Sequence, residues 1–139
     1  MKAIKGLFIT VLLLLNPLMC FSQQSDWEKL NAAVEQLNNV LPVSTEKGVT
    51  LTQYYIQDGN VVVVNEVDEE IVDFNLYTDK KQKRKKILLN SYKNTPALRK
   101  FAKLVTRCNM GILVVYKGIH SGHVSKLLLN KKALRQSIK

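Results

Sequence analysis

Residues 49–67 read VTLTQYYIQDGNVVVVNEV. Two runs of strand length, rich in Val, Thr, Tyr and Ile, flank Asp58-Gly59, and β-branched and aromatic side chains suit a pleated, half-buried surface. Asp-Gly accepts the two left-handed residues of a type I′ turn, whose twist matches that of paired strands. The spacing therefore predicts a β-hairpin opened at Gly48, with its second strand from Val61 to Val67. Beyond it, Glu66, Asp68, Glu69 and Glu70 lead into Ile71-Val72-Asp73-Phe74. The strand is expected to run on through them or to break at the acidic cluster.

Upstream, Ser25-Asp26-Trp27-Glu28 has the spacing of a capping box. Trp27, Leu30, Val34, Leu37 and Leu41 then recur at intervals of three and four, as one apolar helix stripe should, and Pro42 closes the helix. Downstream, Thr78 is expected to cap a helix running through the basic stretch from Lys80 to Lys86 and ending on Ile87, Leu88, Leu89 and Tyr92. Like charges three and four apart weaken its outer turns. Thr95-Pro96 is a stronger start, placing Leu98, Phe101, Ala102, Val105 and Cys108 on one face and Arg99, Lys100, Lys103 and Arg107 on the other. Asn109 and Gly111 suit the helix end, and Ile112 to Tyr116 reads as a buried strand. A turn over Lys117–Gly122, a last strand over His123–Leu129 and a basic tail helix capped by Asn130 complete the chain. The order is N-terminal helix, β-hairpin, one or two helices, β-hairpin. It predicts an α+β fold with helices on one face of a four-stranded, mainly antiparallel sheet.

Three segments, Gly48-Val49-Thr50-Leu51, the Tyr55–Val64 hairpin and Gly111-Ile112-Leu113-Val114-Val115-Tyr116, carry a resemblance to a broad set of small secreted bacterial proteins of unknown function. The resemblance implies secretion and an α+β fold, and it supplies no catalytic residues to transfer.

The amino terminus gives an address. Lys2 and Lys5 precede an apolar run from Leu7 to Leu15, Asn16 and Pro17 break it, and Cys20-Phe21-Ser22 offers small residues for cleavage. This is the pattern of a secretory signal peptide over residues 1–22, leaving one domain over residues 23–139 that begins at Gln23. The apolar run is far short of the roughly 20 residues that span a bilayer, so no transmembrane span is expected in the mature chain. Lipidation at Cys20 would need a small residue just before it, where Met19 stands. The protein is thus expected to be exported, to the periplasm or beyond. Cys108 is then the only cysteine of the mature chain, which forbids an internal disulfide and favours a buried structural thiol.

Charge is segregated along the chain. Between Gln23 and Asp79 there are eleven acidic residues against Lys29 and Lys47; from Lys80 to Lys139 there are seventeen lysines and arginines and no carboxylate side chain. Either the halves face each other across the fold, or one face meets an anionic partner.

Candidate chemistry is sparse. His120 and His123 flank Ser121-Gly122, so a tight turn would point both imidazoles to one side, yet further metal ligands would have to come from the acidic half or a second chain. Cys108 falls at a helix C-terminus, where the dipole disfavours thiolate, so a Cys108 dyad with His120 or His123 is a poor nucleophile. Glu66, Asp68 and Glu70 alternate, and a continuing strand would align their carboxylates on one face, for a divalent cation or for acid and base roles. No nucleophile elbow, phosphate-cradling loop or zinc signature occurs. These residues point to a non-enzymatic binding protein with no cofactor, no metal and no catalytic residues, a small hydrolase being the alternative of a different class. Its expected contact surface is Lys80, Lys81, Lys83, Arg84, Lys85, Lys86, Arg99, Lys103 and Arg107. The expected partner is an envelope protein with an acidic face, as for an assembly factor or an immunity or inhibitor protein. The alternative is an anionic membrane, lipopolysaccharide or acidic glycan surface. Export argues against nucleic acid.

Overall fold

The computed structural model describes residues 25–139. The signal peptide expected over residues 1–22 and the expected start at Gln23 lie outside the described residues. Helix α1 (Asp26–Asn39) begins as its capping box predicts, with Ser25 Oγ accepting the Glu28 amide at 3.1 Å. It buries Leu30, Ala33, Val34 and Leu37. The buried stripe is shorter than the spacing predicts at both ends. Trp27 stays half-exposed in the first turn, and Leu41 follows the cap at Val40, because Pro42 cannot continue a helix.

The sheet has five strands: β1 (Val43–Glu46), β2 (Val49–Gln57), β3 (Asn60–Val67), β4 (Gly111–Gly118) and β5 (Val124–Leu129), in the order β1-β2-β3-β4-β5. The expected count was four. The extra strand, β1, is four residues long, too short to display a period, and it turns back onto β2 at Gly48. Gly48 has φ +80°, and a Cβ there would fall 2.5 Å from Val72 Cγ2, so both conformation and space require glycine. The β2–β3 hairpin turns as predicted, with Asp58 at φ 52° and Gly59 at φ 77°. The pairing of β1 reaches only from Val49 to Leu51, so β1 leaves the outer edge of β2 unpaired beyond Leu51. Asn38 of α1 fills that edge: its amide donates to Tyr54 O at 2.7 Å and its Oδ1 accepts the Tyr54 amide at 2.8 Å.

Three of the four pairings are antiparallel, but β3 and β4 run parallel, from Asn60 opposite Gly111 to Val67 opposite Gly118. A parallel pair needs a crossover. That crossover contains α2 (Asn75–Thr78), α3 (Lys81–Asn94) and α4 (Pro96–Arg107), and α5 (Lys131–Ser137) joins them after β5. Thr78 does not cap α3. It ends α2, its hydroxyl bonded to Asn75 O and Asp79 Oδ1, and Lys80 takes the cap position without a side-chain bond. Thr95 stands at the cap of α4 but makes no side-chain cap bond, while Pro96 lies in the first turn of α4, Asn109 is left-handed after it at φ 63°, and Asn130 Oδ1 accepts the Ala133 amide at 2.8 Å.

The five helices of the described residues lie against one sheet face, around a core that includes Leu30, Tyr54, Val61, Phe101, Val105, Ile112 and Leu129. Tyr54 meets Phe101 edge-on, with ring centroids 6.0 Å apart. Phe101 is 1% exposed, so truncation removes a full aromatic burial and opens a void. Phe101→Ala is expected to cost about 3–5 kcal/mol, measured as a fall in the urea midpoint.

Candidate functional site

Lys80, Lys81, Lys83, Lys86, Lys103 and Arg107 are exposed, and Arg84, Lys85 and Arg99 are partly covered. They lie on α3 and α4 or immediately before them, in the helical layer. Helix α3 has no acidic residue in its first turn, and the Lys and Arg residues there oppose its dipole. Tertiary contacts hold it instead: Leu88 and Leu89 pack on the core, Tyr92 is buried, and Ser137 Oγ donates to Leu89 O at 2.9 Å.

Arg84 differs from the lysines around it. Its guanidinium lies 4.4 Å from the centroid of Tyr77 and 5.8 Å from that of Tyr116, and Nη1 is 3.5 Å from Glu46 Oε1. The two tyrosine rings are themselves 4.4 Å apart, and the Tyr77 hydroxyl donates to Glu46 Oε1 at 3.4 Å. Burial pushes both phenols up to about 12, so both are neutral at physiological pH. Arg84 therefore fastens α3 to α2, β1 and β4. Among the described residues it makes the one ion pair within 4.0 Å between a Lys or Arg and a carboxylate side chain. Apart from that pair, no lysine or arginine of the basic half lies within 4.0 Å of a carboxylate of the acidic half among the described residues. Beside Arg84, Leu76, Lys80, Lys83 and Ile87 line a cleft of about 180 Å³.

A second cluster joins the two halves at one end of the sheet. Strand β3 stops at Val67 and Asp68 starts a turn, its carbonyl accepting the Ile71 and Val72 amides. The expected alignment of Glu66, Asp68 and Glu70 on one strand face therefore does not form: Glu66 stays on the sheet opposite Lys117, and the other two leave it. They meet His120 instead, whose Nε2 lies 3.0 Å from Asp68 Oδ1 and 4.0 Å from Glu70 Oε1. One ligand atom from each of the three falls within 4.8 Å of the others, a set of donors a divalent cation accepts. His123 does not join them; its ring lies 6.2 Å from Phe74, so the two imidazoles diverge. Sequence reasoning named the histidines and the carboxylates but not their meeting, because the parallel register that aligns Val67 with Gly118 brings those loops together.

Glu69 pins the same loop, accepting the His120 amide at 2.7 Å and the Ser121 amide at 3.1 Å. Gly118 leaves room for it, since a Cβ there would lie 2.5 Å from Glu69 Oε2. Hydrogen bonding from Ser121, aided by the His120 amide and ring, holds the Glu69 carboxyl below its ordinary range. Cys108 sits half-buried at the end of α4. Burial, with the Asp26 carboxylate adding to it, pushes its thiol up, which makes it a poor nucleophile.

The sheet face away from the helices carries a smaller apolar cluster of Val62, Val64 and Val115 with Tyr55 and Leu113 packed against it. Sequence reasoning missed this surface because the runs Val61–Val64 and Ile112–Tyr116 carry no alternation to separate the two faces.

No family model and no curated protein matches the chain. Among solved structures it is similar to a "putative secreted protein" of Pseudomonas aeruginosa, with a TM-score of 0.63 at 7% sequence identity, over 78% of this chain and 91% of that one. The likeness is one of fold.

Arg84→Ala strips a cation–π contact and leaves Glu46 unpaired, at a cost of about 1–2 kcal/mol once partial exposure is allowed for. Lys83→Ala and Lys86→Ala should each stay within about 0.5 kcal/mol by the same urea titration. Glu69→Ala should speed amide exchange at His120 and Ser121. Because the folded-state value of Glu69 is depressed, that protection in the unmodified protein holds above the ordinary carboxylate range and fades as pH falls through the lowered value.

Proposed function

We propose that this is an exported, non-enzymatic binding protein whose cationic helical face holds a protein partner with an acidic face in the cell envelope, as an assembly factor or an immunity or inhibitor protein would. One observation carries the reading: among the described residues, the lysines of α3 and α4 have no carboxylate within 4.0 Å, although the chain supplies eleven Asp and Glu. Unpaired surface cations gathered on one layer produce a one-signed field, which speeds encounter with an oppositely charged partner and selects it. Support for export comes from the pattern of residues 1–22 and from the likeness in fold to the secreted Pseudomonas protein. No described helix is long and apolar enough to cross a membrane. The binding role is favoured over a hydrolase because the one histidine–carboxylate group is largely open to solvent, with the side chains of His120 and Glu70 48% and 78% exposed, and Cys108 has a raised thiol.

Affinity capture tests this. The tagged full chain is crosslinked in the envelope fraction of its native cell and washed at low and at moderate salt. A discrete protein is expected at both salts, with recovery falling about tenfold when Lys83 and Lys86 are both changed to Glu, since each reversal turns an attraction into a repulsion. Recovery of lipid or glycan alone, lost at moderate salt, would replace the protein partner with a polyanion.

A further inference from the structure

We propose that the cleft beside Arg84 seats an acidic peptide segment of the partner that carries one aliphatic side chain between its carboxylates. This rests on the basic-face reading and specifies what that face recognises. Lys80, Lys83, Arg84 and Ile87 lie at spacings of three and four, and so share one face at the start of α3. Leu76, 42% exposed in α2, faces them across the cleft. Ile87 is partly buried and lines the cleft, whereas its neighbours Leu88 and Leu89 pack on the core. The fold therefore leaves Ile87 and Leu76 as an apolar floor, with cations around it.

The cations divide by availability. Arg84 is committed to Glu46 and the tyrosine rings, whereas Lys80 and Lys83 are exposed and have no carboxylate within 4.0 Å among the described residues. Asp79, the carboxylate beside Lys80 in the chain, accepts the Thr78 hydroxyl at 3.1 Å. The rim thus offers two ammonium groups to an incoming acid. At about 180 Å³ the cleft is smaller than the roughly 300–1,000 Å³ of small-molecule sites, and it has room for a side chain of a docked segment. Charge complementarity selects the acidic flanks, and an apolar anchor desolvated inside a polar rim is the usual source of affinity at a protein interface. A glycan or a lipid headgroup would engage the lysines and leave the floor unused.

The test titrates the purified full chain, by fluorescence anisotropy at low salt, against two labelled heptapeptides, Asp-Glu-Glu-Leu-Glu-Glu-Asp and its counterpart with Ser at the centre, and against phosphatidylglycerol vesicles. The leucine peptide is expected to bind about five- to tenfold more tightly than the serine peptide, the gain from partly burying one aliphatic side chain. Leu76→Ser, at an exposed position, should erase that preference and leave the serine peptide unaffected. Ile87→Ser should do the same from the other wall, and far-ultraviolet circular dichroism verifies that both variants fold. Lys80→Glu with Lys83→Glu should weaken both peptides about tenfold. Equal affinity for the two peptides overturns the cleft assignment while leaving the basic face as a binding surface. Binding of vesicles without either peptide overturns the assignment in favour of a lipid surface, and the absence of any binding overturns both readings.

Discussion

The parallel pairing of β3 with β4 is the constraint on which the rest of the molecule depends. Adjacent antiparallel strands can be joined by two residues, as β2 and β3 are at Asp58-Gly59, but a parallel neighbour obliges the chain to leave the sheet and return to the same end. Residues 68–110 make that journey, and the apolar faces of α3 and α4 must be buried against the sheet on the way. Everything basic within the crossover is thereby pressed into one layer. The same register sets Val67 beside Gly118, so the turn that follows β3 and the loop that follows β4 emerge together. That is why Asp68, Glu69 and Glu70 find His120 and the Ser121 amide.

Within that frame, Arg84 and its neighbours show two uses of the same charge. In the basic stretch of α3, Arg84 turns to the fold, stacked on Tyr77 and bonded to Glu46, while Lys80, Lys81, Lys83 and Lys86 remain in solvent. The planar guanidinium suits the first role, since it stacks on rings and offers directed donors in a way an ammonium does not. The lysines are left as a field, and the apolar floor of Leu76 and Ile87 gives that field a place to focus.

Much of the architecture was legible because its signals are local. Asp58-Gly59, Ser25 with Glu28, Thr95-Pro96, Asn109 and Asn130 each act within a few residues, and each stands where a turn, cap or stop was expected. Strand β1 was missed because four residues hold no period, and Thr78 was misassigned because a short helix ends on it and exposes Lys80 as the start of the next. The surface cations of the site were legible by composition alone. The withdrawal of Arg84 was not, since its partners lie in α2, β1 and β4, far away in the chain.

The α+β class, the order of the main elements, the single cysteine of the described residues and the separation of acidic from basic residues can all be read along the chain, because composition and short-range spacing specify these without knowledge of neighbours. Folding in three dimensions was needed to leave the two charged halves unpaired but for Arg84 and Glu46 among the described residues, to separate His120 from His123, and to turn Ile87 to a cleft while Leu88 packs inward. The physical reason is the same in each case. These outcomes depend on which strand ends and helix faces are brought within a few ångströms of one another, and the register of a parallel pair sets that across residues distant in the chain.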